Sequence, residues 1–187
     1  MSFVTFVLGG ARSGKSRYAE GLAAKHRGPK TYIATAEAID GETQDRIAQH
    51  RRQRGAGWKT LEAPLDLVAM LTALKSGFVL IDCITVWINN LMHHERDVRA
   101  EIQKLCETLP AMRARIVIVS NEVGLGIVPD NALARAFRDE QGFANQRIAE
   151  VADEVFFLAA GVPMTLKKTR RKPATTGRAA SSRGRRA

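Results

Sequence analysis

The chain has 187 residues, 45% of them hydrophobic, and a formal net charge of +10. That length fits one α/β domain with a real core, and no apolar run approaches the roughly 20 residues of a membrane span. Two cysteines, Cys83 and Cys106, argue against a disulfide framework or a cysteine metal cluster and favour a reducing cytoplasm.

The first element in chain order is the apolar run Phe3–Leu8, which reads as a strand and not as a secretory signal, because it leads directly into GGARSGKS. Residues Gly9, Gly10, Ala11, Arg12, Ser13, Gly14, Lys15 and Ser16 match the phosphate-loop pattern G-x-x-x-x-G-K-[ST] in full. Glycines let backbone N–H groups turn inward around phosphate oxygens. A helix predicted over 14–26 adds its partial positive end, with Ser13 as candidate N-cap. Lys15 can reach the outer phosphates and Ser16 can ligate Mg²⁺. The loop identifies a nucleoside triphosphate as ligand, not the fate of its phosphates.

A second strand is expected over 30–34, running into the small residues Ala34, Thr35 and Ala36, which permit close approach of a base or ribose. A helix over 42–54 follows, within RIAQHRRQR. Helical spacing brings Arg46, His50 and Arg54 near one face. Arg46, Arg51, Arg52 and Arg54 disfavour imidazolium and leave a neutral nitrogen on His50 free for nucleophilic attack. On the residues alone, three roles stay open for this helix: nucleophile, phosphate binder or solvated basic face.

Further along, helices are expected over 65–75, 84–93, 96–109 and 131–151, and strands over 78–82, 115–120, 154–159 and 162–166. Phe78–Asp82 is four apolar residues ending in a carboxylate, so Asp82 can hold the Mg²⁺ shell through water. Ser120, Asn121 and Glu122 follow a strand and are placed to line a cleft. Trp58 and Trp87 are core by default. His26 and the pair His93–His94 read as helix C-terminal residues. Gly161-Val162-Pro163 splits the last two runs into a hairpin with an antiparallel edge strand. The fold class is therefore α/β, a mostly parallel sheet covered by helices on both faces.

Residues from Lys167 onward hold nine of the 29 Lys and Arg and no acid, leaving 20 basic against 19 acidic residues in the body. Composition predicts a disordered, solvated tail over 168–187 beyond one domain over 1–167. A nucleic-acid-associated protein is disfavoured by the near-neutral body and the lack of interleaved aromatic and basic residues.

Several segments together resemble one family. They are GGARSGKSRYAE, YIATAEAIDGETQDRIAQHRRQRGAGWKTLEAP, LIDCITVWINNL and the long stretch from VSNEVGLGIVPDN to GVPMTLK. The chain is similar, over roughly 3–167, to the bifunctional adenosylcobinamide kinase/adenosylcobinamide-phosphate guanylyltransferases of cobalamin biosynthesis. The resemblance implies a RecA-like P-loop fold and two reactions. Adenosylcobinamide is phosphorylated from ATP or GTP, and GMP then passes from GTP to that phosphate through a GMP-histidine intermediate. It implies His50 as the histidine and Lys15 as a catalytic partner. It implies nucleotide contacts at residues 9–16, Ala34, Thr35, Ala36, Arg51, Arg52, Gln53, Arg54, Glu62 and Asp82, Mg²⁺ at Ser16 and Asp82, and a trimer. Glu122 is a candidate base for the kinase step from its strand-end position. The competing enzyme reading is a monofunctional P-loop kinase of another small metabolite.

Overall fold

A computed structural model of the chain describes residues 2–24, 26–37, 57–74 and 76–169. Seven strands form one sheet: β1 (Phe3–Gly9), β2 (Lys30–Ala34), β3 (Trp58–Glu62), β4 (Gly77–Asp82), β5 (Ala114–Asn121), β6 (Glu154–Ala159) and β7 (Val162–Lys168). Their spatial order is β3-β2-β4-β5-β1-β6-β7. Every neighbouring pair is parallel except β6 and β7, which form the expected antiparallel edge hairpin. The inner strands β1, β2, β4 and β5 are near-continuous apolar runs because both sheet faces are covered.

Alternation along β1 divides the core. Val4, Phe6 and Leu8 point to one face, where they meet α2 (Leu67–Thr72), α3 (Ile84–His93), α4 (Val98–Ala111) and α5 (Ala132–Val151). Val7 points to the other face, where Ala19 of α1 (Lys15–Leu22) packs with Phe78, Leu80, Val117 and Val119. The tight register from β2 to β6 then brings all the parallel strand ends to one rim of the sheet.

Some boundaries differ from expectation. β3 was not expected. It is an edge strand with exposed and half-buried positions, so Trp58-Lys59-Thr60-Leu61-Glu62 carries no continuous apolar run. Helix α1 stops at Leu22, where Ala23 N–H bonds to Glu20 O and Ala24 N–H to Gly21 O, tightening the last turn. Helix α2 is shorter than 65–75. Helix α4 begins one residue after Asp97, whose carboxylate accepts from Ala100 N–H at 3.0 Å, and runs on through Pro110 in its last turn. Trp87 is fully buried and donates to Leu65 O at 2.8 Å. Trp58 packs edge-on against Phe78. The expected helix over 42–54, with Arg46, His50, Arg51, Arg52, Gln53 and Arg54, lies outside the described residues, as does the chain from 170 onward. Among the described residues, no helix is long and apolar enough to cross a membrane.

Candidate active site

The phosphate loop links β1 to α1 at the rim where the parallel strands end. Two of its glycines are required by geometry. Gly9 has φ +152°, and a Cβ there would sit 2.4 Å from Leu158 O. Gly14 has φ +93° and is the residue before α1, without any side-chain cap. Ser13 is therefore not the N-cap: the left-handed Gly14 stands between it and the helix. The first intrahelical bond runs from Tyr18 N–H to Gly14 O at 3.0 Å. The N–H groups of Lys15, Ser16 and Arg17 thus have no acceptor within the helix, an arrangement suited to phosphate. Arg12 is exposed at φ 55°, a left-handed conformation that is uncommon outside glycine. Ala11 beside it is exposed, and Gly10 contributes its carbonyl to the loop interior.

Lys15 is buried and folds back so that Nζ donates to Gly10 O at 2.6 Å. Burial lowers the pKa of its ammonium, opposed by the negative charges of Cys83 and Asp82. Burial, helped by Asp82, pushes the Cys83 thiol up to about 11. At neutral pH that thiol is uncharged, which leaves Asp82 as the working counter-charge. Ser16 follows in the first turn of α1, half-buried. A serine hydroxyl and an aspartate carboxylate are hard oxygen donors that fit Mg²⁺, which takes its other ligands from phosphate and water. Among the described residues, no three His, Cys, Asp or Glu gather into a cage of their own.

Beside this pair, the ends of β3, β2 and β4 lie level: Ala34 is in register with both Glu62 and Asp82. Thr35 is fully buried and brackets Cys83, donating to its carbonyl and accepting from its N–H, both at 2.8 Å. Asn90 of α3 donates to Thr35 O at 2.7 Å and to Pro64 O at 3.1 Å. The segment Ala34-Thr35-Ala36 is thus held from both sides. Asn90→Leu would leave these carbonyls without their donor in the interior. It is expected to cost about 2 kcal/mol, about 4–8 °C in Tm for a chain of this size. Denaturant titration and thermal melting measure it.

On the other side of the loop, Glu122 N–H donates to Gly9 O at 3.0 Å. Behind it lies a buried polar network. Ser120 Oγ donates to Asn145 Oδ1 at 2.8 Å and accepts from Gln141 Nε2 at 2.9 Å. Asn145 Nδ2 donates to Asn121 O at 3.1 Å, and Thr85 Oγ1 accepts from Asn121 N–H at 2.7 Å. Helices α3 and α5 therefore fix the end of β5. Finally, Gly161 N–H donates to Ser13 O at 2.9 Å, which ties the β6–β7 turn to the phosphate loop.

The structure brings together residues 9–16, Ala34, Thr35, Ala36, Asp82 and Glu122 along one rim, with Glu62 exposed at its outer end. Sequence reasoning passed over Thr85, Asn90, Gln141 and Asn145. Their signal was polarity on apolar helix faces, with Gln141 and Asn145 four residues apart. It also passed over the contact of His94 Nε2 with Glu37 Oε1 at 3.1 Å, which joins the end of α3 to the segment after β2. His26 follows the end of α1, its N–H bonded to Ala23 O, and its ring packs against Phe78.

Comparison with known proteins gives the family. Residues 5–166 match the family described as cobinamide kinase/cobinamide phosphate guanyltransferase. The chain is 49% identical over 165 residues to the bifunctional adenosylcobalamin biosynthesis protein CobP of Pseudomonas aeruginosa, covering 86% of this chain and 95% of the relative. It is 40% identical over 179 residues to the bifunctional protein CobU of Salmonella typhimurium, covering 86% and 98%. A solved ATPase of a bacterial type III secretion system superposes with a TM-score of 0.54 at 8% identity, over 87% of this chain and 56% of that one. That likeness shows the fold alone, a RecA-like P-loop sheet. The chain belongs to the cobinamide kinase/cobinamide phosphate guanyltransferase family, nucleotide-binding transferases of cobalamin biosynthesis.

Proposed function

We propose that this member of the family carries out both reactions that the family description names, on one phosphate loop. In the first, the hydroxyl of the aminopropanol arm of adenosylcobinamide attacks the γ-phosphorus of ATP or GTP. The bond from that phosphorus to the β–γ bridging oxygen breaks, and the hydroxyl proton leaves to a base. Glu122 is the proposed base, supported by its backbone bond to Gly9 beside the loop. In the second, a ring nitrogen of His50 attacks the α-phosphorus of GTP and pyrophosphate departs. The corrinoid phosphate oxygen then attacks the same phosphorus, the N–P bond breaks, and adenosylcobinamide-GDP forms.

The loop N–H groups and Lys15 would hold the phosphates in both steps. Arg51, Arg52, Gln53 and Arg54 would clamp the triphosphate during attack by His50. Ala34, Thr35, Ala36 and Glu62 are the proposed contacts for the nucleoside. Mg²⁺, held by Ser16 with Asp82 in its outer shell, would offset charge on the leaving phosphates. Assembly as a trimer and a cytoplasmic location belong to the same proposal.

The observation that carries the reading is the buried Lys15, folded into a complete phosphate loop beside Asp82, in a chain of this family. The test uses GTP labelled at the α-phosphorus. The protein is expected to take up acid-labile label and to lose it to added adenosylcobinamide phosphate. Protein that takes up no label would remove the guanylyltransferase half and leave a simple kinase.

A further inference from the structure

Strand β4 ends at Asp82, in register with Val119, while β5 runs on to Asn121. Glu122 N–H turns toward β1, where it bonds to Gly9 O. The N–H and C=O of Asn121 therefore turn the other way, past the end of β4. Side chains take the place of a strand there. Thr85 Oγ1 accepts the Asn121 N–H at 2.7 Å, and Asn145 Nδ2 donates to the Asn121 carbonyl at 3.1 Å.

That arrangement costs stability. Thr85, Gln141 and Asn145 are buried on helix faces that otherwise turn Ile84, Ile88, Ala144 and Ile148 into the core. Gln141 Oε1 has no hydrogen-bond partner among the described residues. Apolar side chains at these positions would carry no such penalty. The network is explained by what it holds, and it closes on Asn121 from two helices. In the sheet, β5 lies between β1, which leads into the phosphate loop, and β4, which carries Asp82. Val117 and Val119 face the α1 side of the sheet, and Ser120 faces α5. Alternation then puts the half-buried Asn121 side chain on the side of α1 and its Lys15. Among the described residues no hydrogen bond engages its carboxamide.

We propose that Thr85 and Asn145 are positioning residues for γ-phosphoryl transfer and act through Asn121. This rests on the kinase reaction proposed above. Held at both main-chain groups, Asn121 aims its amide N–H at an oxygen of the γ-phosphate, between Lys15 and Asp82. That donor adds to the charge stabilisation supplied by Lys15 as the phosphoryl group moves. A fixed strand end gives it without reorganisation, and slack of about 1 Å in such a group costs about 10²-fold in rate. Guanylyl transfer breaks its bond at the α-phosphorus, on the nucleoside side of the triphosphate, and draws less on this donor.

The test is Thr85→Val, which keeps the side chain's shape and removes the acceptor, with Thr85→Ser as the variant that keeps the hydroxyl. Thr85→Val is expected to lower kcat for phosphorylation of adenosylcobinamide about tenfold or more. KM for the nucleotide and the rate of GMP uptake from GTP are expected to stay within about threefold of wild type. Thr85→Ser is expected to recover most of the lost rate. Asn121→Ala is expected to lose at least as much kinase kcat as Thr85→Val. Adding Thr85→Val to Asn121→Ala is expected to cost no more than about twofold further, because the side chain being aimed is gone. A merely structural Thr85 would lower both half-reactions together, or its loss would multiply in full with that of Asn121→Ala, and either result overturns the proposal. A kinase kcat within twofold of wild type in Thr85→Val or in Asn121→Ala overturns it as well, and leaves the proposed reactions standing. A wild-type protein that phosphorylates no adenosylcobinamide overturns the kinase function and this role with it.

Discussion

Lys15→Met is expected to lower both half-reactions about 10³-fold, in phosphate transfer to adenosylcobinamide and in GMP uptake by the protein alike. In the proposed scheme one ammonium would serve both steps, because each would develop charge on phosphate oxygens held by the same loop. Lys15 is pre-positioned for that work: it is buried, its Nζ lies 2.6 Å from Gly10 O, and Asp82 is near enough to support its charge. Methionine keeps the length and the apolar stem while removing a charge that burial disfavours. The variant should therefore fold, with a Tm within a few degrees of wild type, which separates chemistry from collapse. Either rate remaining within tenfold of wild type would mean that Lys15 is not the shared phosphate ligand.

The same loop shows which parts of this protein can be read from its sequence. Local chemistry was legible. A glycine-rich pattern with a final Lys-Ser follows directly from what phosphate requires, and β4 announced itself as an apolar run ending in Asp82. All six expected strands formed: the strands inside the sheet are written as runs of largely apolar residues, and the exposed edge strand β7 was marked by the Gly161-Val162-Pro163 turn before it. β3 escaped because an edge strand needs no such run, and its Glu62 meets Ala34 and Asp82 only through sheet register.

Non-local partners were not legible for a related reason. Asn90 bonds to a carbonyl 55 residues away, and Gln141 to a hydroxyl 21 residues away. Such pairs have no spacing signature, since the sheet order, not the chain order, makes them neighbours.

His50→Ala is expected to abolish GMP uptake by the protein, a loss of about 10⁴-fold or more, while phosphorylation of adenosylcobinamide stays within a few-fold of wild type. Removing an attacking nucleophile leaves only the residual assistance of binding and electrostatics. The proposed γ-phosphoryl transfer would have no such dependence, because its nucleophile would be the substrate's own hydroxyl. The flanking Arg46, Arg51, Arg52 and Arg54 set the expectation further. If they surround the imidazole as the sequence spacing suggests, they would disfavour its protonation, and the wild-type protein should take up label at neutral pH. Added imidazole, a detached copy of the lost nucleophile, should partly restore transfer of GMP to adenosylcobinamide phosphate in the variant if the guanidiniums still hold the triphosphate. Steady-state assays of the kinase step and acid-quench counting of labelled protein measure the two halves separately. Loss of both activities together would assign His50 to phosphate binding, and loss of neither would leave its segment a solvated basic stretch.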